Sequence, residues 1–207
     1  MSDAALNAIP TDLLTYQLTD QFLVQRASKE DLSEVLAIYN QSIPSKQATA
    51  NLALVTVDER AAWFDEHLSS LTRPIYVVKM AREDGDTAPA KSQVVAWGSF
   101  SDLYARTAYH ISTEVSIYLN QDYQGKGLGS LLTRWMLTEA PNLGIRNVIA
   151  LVFAHNQPSL GLFRKLGFEQ WGYMPAVCDM EGFIADVVML GKAVTSDDIS
   201  DKASETI

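Results

Sequence analysis

The sequence predicts an α/β domain whose mixed central sheet is flanked by helices, and three observations predict it. Strand-like runs separated by turns and loops come first along the chain. A strand–helix–strand–helix–strand series follows them. One run, Val148 to Phe153, is apolar on both faces. Strands joined without helices pair antiparallel, whereas a strand–helix–strand unit makes parallel neighbours. A strand apolar on both faces belongs inside the sheet, covered from each side.

Residues 1 to about 21 carry neither a helical stripe nor alternation, and read as an extension lying on the domain. Phe22-Leu23-Val24 is a short apolar segment before Ser28, which can cap a helix. Leu32, Val35, Leu36 and Tyr39 then fall on one face of that helix, and Pro44 stops it. The stretch 41–55 is polar and irregular. Thr56 and Glu59 have capping-box spacing and open a second helix. Its expected buried face uses the stem of Arg60 with Phe64, His67, Leu68 and Leu71. Ile75–Met80, Gln93–Phe100 and Ser112–Leu119 read as strands, with a solvated loop over 81–92. A Gly-rich turn at 125–129 feeds a helix with Leu128, Leu131, Leu132, Trp135 and Met136 on one face, stopped near Pro141. After the strand at Val148, Asn156-Gln157-Pro158 opens a short helix with proline in its first turn, ending at Gly167. Phe168–Tyr173 and Asp186–Leu190 are the last strands. The domain is thus bounded at 22–191, and 192–207 is an acidic solvated tail.

A chain of 207 residues suits one domain with a sizeable core. Its 47% apolar and 20% charged content is that of an ordinary soluble protein. The net charge of −9 argues against nucleic acid or an anionic membrane as partner, since both reward a basic surface. The single cysteine, Cys178, excludes an internal disulfide and makes a reducing cytoplasm the expected compartment. Its neighbours Val177 and Asp179 supply no cation to activate the thiol, so it reads as a packing residue. No basic segment precedes an apolar core at the N-terminus, where the first basic residue is Arg26. The longest strictly apolar run, Val148–Ala154, is far short of the ~20 residues a membrane span needs. No His, Cys or carboxylate cluster has metal-ligand spacing, so no metal is expected.

The sharpest local signal is Gln124-Gly125-Lys126-Gly127-Leu128-Gly129-Ser130, after a strand and at a helix start. Glycines at alternate positions let backbone N–H groups approach a ligand, and the helix N-terminus behind them favours phosphate. The spacing is neither that of a P-loop nor that of a dinucleotide fold. One helix and one strand later comes Asn156-Gln157-Pro158-Ser159, followed by Leu162-Phe163-Arg164-Lys165-Leu166-Gly167-Phe168.

Together these segments resemble the GNAT acetyltransferases, whose pyrophosphate loop reads Gln/Arg-x-x-Gly-x-Gly/Ala and whose next unit carries Asn-x-x-Ser/Ala and Lys-x-Gly-Phe. Gln124, Gly127 and Gly129 match the first pattern; Asn156, Ser159, Lys165, Gly167 and Phe168 match the second. Further stretches are similar to the phosphinothricin acetyltransferase branch. They are Ile38-Tyr39-Asn40, Arg60-Ala61-Ala62-Trp63-Phe64, Arg73-Pro74-Ile75-Tyr76-Val77, Val95-Ala96-Trp97-Gly98, Ala108-Tyr109 and Thr113-Glu114-Val115-Ser116-Ile117-Tyr118.

The resemblance implies a mostly antiparallel sheet splayed between its fourth and fifth strands, with acetyl-CoA as co-substrate and a small-molecule amine as acceptor. It implies that Gln124–Ser130, with Asn156 and Ser159, hold the cofactor, and that its pantetheine arm pairs with the open edge at Ile117, Tyr118 and Leu119. Glu114 matches the family's general base, and backbone N–H groups near Ser116 to Tyr118 would hold the oxyanion. Arg106 and Tyr109 are expected at the substrate, Arg106 pairing with a carboxylate, and His155 beside the cleft. Two departures stand out. Phe163 occupies the place of a tyrosine general acid, and Tyr104 replaces the first arginine of an Arg-x-Arg pair. An amino acid or amino-acid analogue is the expected acceptor. The alternatives are a protein N-terminal or lysine acetyltransferase and a non-catalytic acyl-CoA-binding module. The pattern leaves room for a homodimer.

Overall fold

Eight strands form one sheet in the order β1-β2-β3-β4-β5-β6-β8-β7, and every neighbouring pair is antiparallel except β5 with β6. The strands are β1 (Tyr16–Thr19), β2 (Phe22–Arg26), β3 (Ile75–Met80), β4 (Val94–Asp102), β5 (Ser112–Leu119), β6 (Asn147–Phe153), β7 (Glu169–Asp179) and β8 (Ile184–Ala193). The helices are α1 (Leu32–Ser42), α2 (Val57–Ser69), α3 (Leu128–Glu139) and α4 (Gln157–Lys165). The computed structural model describes residues 15–81 and 93–194. The expected loop 81–92 therefore falls almost wholly outside the described residues, as do 1–14 of the extension and 195–207 of the tail.

Two cores cover the two faces of the sheet. On one face Leu128, Leu132 and Met136 of α3 and Leu160 and Phe163 of α4 pack on Val95, Phe100, Val115 and Ala150. On the other, Val35, Ile38 and Tyr39 of α1 and Phe64 of α2 pack on Ile75, Val77 and Trp97. Capping sets where α2 begins: Thr56 Oγ1 accepts from Glu59 N, and the Glu59 carboxylate accepts from Thr56 N at 2.8 Å. The reciprocal bond satisfies two donors that a helix start leaves unpaired.

Several expectations are corrected. Tyr16–Thr19, within the expected extension, is a sheet strand, because it closes a hairpin onto β2 and Tyr16 packs on Trp135. Lys192 and Ala193 belong to β8 rather than to the tail. Leu71 lies beyond the end of α2 and is 76% exposed, and Leu131 is on the rim of α3. β7 continues past Tyr173 to Asp179 through an irregularity at Ala176, whose φ is +52°. The Asp186 carboxylate holds it by accepting from Ala176 N at 2.7 Å and from the Tyr173 hydroxyl.

The feature that positions the site is the parting of β5 from β6. The two pair only at Ser112–Glu114 against Asn147–Ile149. Beyond Glu114, β5 stays in continuous register with β4 as far as Leu119, while β6, paired with β8 along its whole length, runs on to Phe153 without it. The splay lies between the strands expected; they are the fifth and sixth here because of the extra hairpin strand.

Candidate active site

Strand alternation decides which backbone groups of β5 face the gap. Asn120 N donates to Val95 O on β4 at 2.9 Å, and Ile111 O accepts from Arg146 N and Asn147 N on the β6 side. The β4–β5 register between them is unbroken. Groups at successive residues of a strand point to opposite edges. Val115, Ile117 and Leu119 therefore present their N–H and C=O to the gap, and Ser116 and Tyr118 present theirs to β4. Of the oxyanion donors expected near 116–118, only Ile117 N–H faces the right way. Of the arm-pairing residues, Ile117 and Leu119 do so, and Tyr118 contributes its side chain instead.

The glycine turn stands at the end of that gap. Gly125 and Gly127 have φ of +71° and +84°, and a Cβ on either would meet nothing within 4 Å, so the turn's outer surface is open. Such φ values favour glycine. Gly127 caps α3, and Leu131 N is the first to close the helix, onto Gly127 O at 3.1 Å. The N–H groups of Leu128, Gly129 and Ser130 are thereby left without intrahelical acceptors. Gly129 has a different job from the other two. It is buried, and a Cβ there would lie 3.0 Å from Leu162 and 3.4 Å from Leu119, so its size lets α3 sit on β5 and α4. The Leu128 side chain is likewise core, leaving only its backbone for a ligand. Gln124 Nε2 donates to Leu119 O at 3.3 Å, bridging the turn to the open edge. Lys126 is exposed, its ammonium 5.5 Å from the Tyr123 ring.

Between the strands lies a cavity of about 400 Å³, within the range of small-ligand sites. β5 supplies Glu114, Ser116 and Tyr118; β6 supplies Ala150 to Phe153; α4 supplies Asn156, Ser159 and Phe163. Gln47 to Ala50 and Met174, Val177 and Cys178 complete it. Glu114 sits on the strand where β5 and β6 part. Burial raises its pKa above the ordinary carboxylate value, and no ion pair reaches it among the described residues. A carboxylate so placed holds and releases protons more readily near neutrality than a solvated one.

The other expected site residues divide. Asn156 is buried and lines the cavity, but its amide is engaged within the chain. Its Oδ1 accepts from Ser159 N at 3.1 Å, and its Nδ2 donates to Gln47 O at 2.9 Å. It thus caps α4 and clamps the 47–50 loop. His155 is a correction: its Nε2 donates to Lys46 O at 2.9 Å, its ring stacks on Phe153, and it does not line the cavity. Arg106 and Tyr109 are also absent from the lining. They lie on the exposed β4–β5 connection, where Tyr109 packs on Tyr104. That connection is anchored from beneath by the buried Arg73, whose guanidinium donates to Asp102 at 2.7 Å and His110 O at 2.8 Å.

What sequence reasoning missed is the 46–51 segment. It reads as irregular, yet it forms one wall of the cavity. Side chains distant in sequence hold it: Asn156, His155, and Lys46 Nζ donating to Glu181 O at 2.9 Å. No spacing rule could have found a wall made this way. Among the described residues no group of metal-binding side chains gathers, and no helix is long and apolar enough to cross a membrane.

Comparison with known proteins adds the following. The acetyltransferase (GNAT) family matches over residues 35–168. The phosphinothricin acetyltransferase-like protein YwnH of Bacillus subtilis is 43% identical over 169 residues, 82% of this chain and 97% of its own. The L-methionine sulfoximine/L-methionine sulfone acetyltransferase of Pseudomonas aeruginosa is 30% identical over 167 residues, 81% of this chain and 91% of its own. Among solved structures, the GNAT superfamily phosphinothricin acetyltransferase of Sinorhizobium meliloti in complex with acetyl-CoA superposes with a TM-score of 0.72 at 27% identity. The match covers 83% of this chain and 87% of that one.

Proposed function

The chain belongs to the acetyltransferase (GNAT) family, and from that membership we propose that it transfers an acetyl group from acetyl-CoA to the primary amine of an amino acid or amino-acid analogue. Acetyl-CoA, when bound, supplies the thioester carbonyl that the amine attacks. The turn at Gly125–Ser130 binds the pyrophosphate with backbone N–H groups and the helix N-terminus. The open edge at Ile117 and Leu119 pairs with the pantetheine arm and draws the thioester to the mouth of the cavity.

Glu114 acts as the base. An amine resembling that of lysine has a pKa of about 10.4 and is mostly protonated at neutral pH, so it must lose a proton to become a nucleophile. The Glu114 carboxylate accepts that proton, directly or through water. Ile117 N–H faces the gap and stabilises negative charge developing on the carbonyl oxygen. Phe163 has no proton to give, so the CoA thiolate leaves without one from that side chain.

The observation that carries this reading is Glu114 itself: half-buried, without an ion-pair partner among the described residues, and lining the cavity where the strands part. The substrates in the name of the Pseudomonas aeruginosa relative support the amino-acid class. The test is thiol release from acetyl-CoA with L-methionine sulfone, phosphinothricin, a peptide with a free N-terminus and a lysine peptide. Release with either amino-acid analogue and not with the peptides is expected. Release with peptides alone would make the chain a protein acetyltransferase. Acetyl-CoA binding with no release from any amine would leave it a binding module.

A further inference from the structure

The proposed reaction has a place for the amine, beside Glu114, but the residues expected to hold a substrate carboxylate do not line the cavity. A different cation, Arg60, is also outside the lining but is joined to the wall through the aromatic side chains it stacks on. Arg60 precedes Phe64 and His67 on α2, and both of those are buried. The three share the face that α2 turns toward the sheet, so Arg60 projects inward rather than into solvent.

There its guanidinium lies 3.7 Å from the centroid of the Trp63 ring and 4.9 Å from that of Tyr39. The two rings hold a cation by their faces and leave its N–H edges free. No carboxylate answers it among the described residues. Glu59, its neighbour in sequence, is engaged by Thr56. Burial lowers the pKa of Arg60 without an opposing carboxylate. A second unmet donor lies in the same aromatic cluster: Trp97 Nε1 is buried with no partner, and its ring lies 6.1 Å from that of Trp63. A buried donor left without an acceptor is costly.

This cluster borders the cavity. Tyr39, under Arg60, bonds through its hydroxyl to Thr49 at 2.6 Å, and Thr49 is cavity wall. Trp97 stacks at 4.6 Å on Tyr118, also cavity wall. Burial holds the Tyr118 hydroxyl well above the ordinary phenol range, with Arg60 working against that shift and Glu114 adding to it. The wall thus has a cation without a carboxylate at one flank and a carboxylate without a cation at the other.

We propose that Arg60 is the specificity-determining cation of the acceptor site, binding the carboxylate of a substrate whose amine is presented to Glu114. The inference rests on the acceptor class proposed above. The planar guanidinium, oriented by Trp63 and Tyr39, offers parallel N–H groups that a carboxylate accepts in bidentate fashion.

The experiment compares L-methionine sulfone with 3-(methylsulfonyl)propan-1-amine, which has the same chain without the carboxylate. Both are assayed with the wild type, Arg60→Ala, Arg60→Lys and Arg106→Ala at saturating acetyl-CoA. Arg60→Ala should lower kcat/KM for the amino acid by about 10- to 100-fold, mainly through KM, while the decarboxylated amine changes less than about twofold. Arg60→Lys keeps the charge without the fork and should fall between; it carries the test if the alanine variant does not fold. Arg106→Ala should change neither substrate by more than about twofold. Equal losses on both substrates, or a selective loss in Arg106→Ala, would overturn the assignment to Arg60. A wild type that turns over both substrates equally would overturn it too. A wild type that acetylates neither, but acetylates peptides, overturns the acceptor class itself, a result distinguishable because it needs no variant.

Discussion

The two ends of the cleft are built on opposite plans. At the end proposed to bind phosphate the groups offered are backbone N–H groups, and seven consecutive residues, Gln124 to Ser130, hold the information. At the proposed acceptor end the groups are side chains, arriving from the 46–51 segment, from β5 and from the β7–β8 hairpin, with Arg60 of α2 proposed to join them. A phosphate needs only geometry and partial charge, which a helix start with left-handed glycines provides locally. Discriminating one amine from another needs particular side chains at fixed distances, and those come from wherever the fold brings chains together.

The comparison is tested most strongly at Glu114, where the acceptor end meets the reaction. Glu114→Gln keeps the size of the side chain and cannot accept a proton, so kcat/KM should fall by ~10² to 10⁴-fold with acetyl-CoA affinity unchanged. The deficit should shrink at high pH, where the amine is already deprotonated. Burial raises the Glu114 pKa, so the wild-type acid limb of kcat/KM should lie above the ordinary carboxylate range. The sign for stability runs the other way. A charged Glu114 is penalised by burial in the folded state only, so the glutamine variant should melt higher at neutral pH. That gain should vanish as pH falls through the raised pKa toward the unfolded value. A wild-type rate and pH profile in the variant would remove Glu114 from the chemistry.

The phosphate end should break through charge rather than shape. Gly127→Asp places a carboxylate where an anion is to bind, whereas Gly127→Asn has the same bulk and tolerates φ of +84° about equally. Acetyl-CoA affinity, read from the ligand-induced rise in melting temperature, should drop at least about tenfold in the first and much less in the second. Equal losses would mean that steric fit, not electrostatics, governs this end.

Asn156→Ala sharpens the comparison where the two plans meet. It removes the α4 cap and frees Gln47 O, and the loss of a cap costs typically ~1 kcal/mol. Denaturant melts should show that loss. The KM for the amine should rise more than the KM for acetyl-CoA, because the freed segment is acceptor wall. An unchanged amine KM would separate the clamp from the site.

How much of this was legible in the sequence follows the same division. The capping box at Thr56 and Glu59, the glycine turn before α3 and the Asn156 start of α4 are all local, and each stands where spacing placed it. Leu71 failed because α2 ends before it; hydrophobic spacing says which face a residue would share, not where the helix stops. Tyr16–Thr19 was invisible because a short edge strand needs only a hairpin partner, and its sequence shows little alternation. Nearness to Asn156 points to His155, yet its ring is engaged by Phe153 and Lys46 O and does not line the cavity. Spacing gives Arg60 only a buried stem; its charge acquires meaning once Trp63 and Tyr39 are seen to stack on it.

The divergence of β5 from β6 has one more effect. A strand edge with unpaired backbone groups ordinarily invites association with other chains, and proteins blunt such edges on their outer rims. Here the open stretch, centred on Ile117, is an edge turned indoors beside a cavity lined from α4 and the 47–50 loop. A slender extended molecule can thread the slot, whereas the flat face of another protein's sheet cannot reach it. The fold keeps an unfinished hydrogen-bonding template inside the molecule rather than on an outer rim.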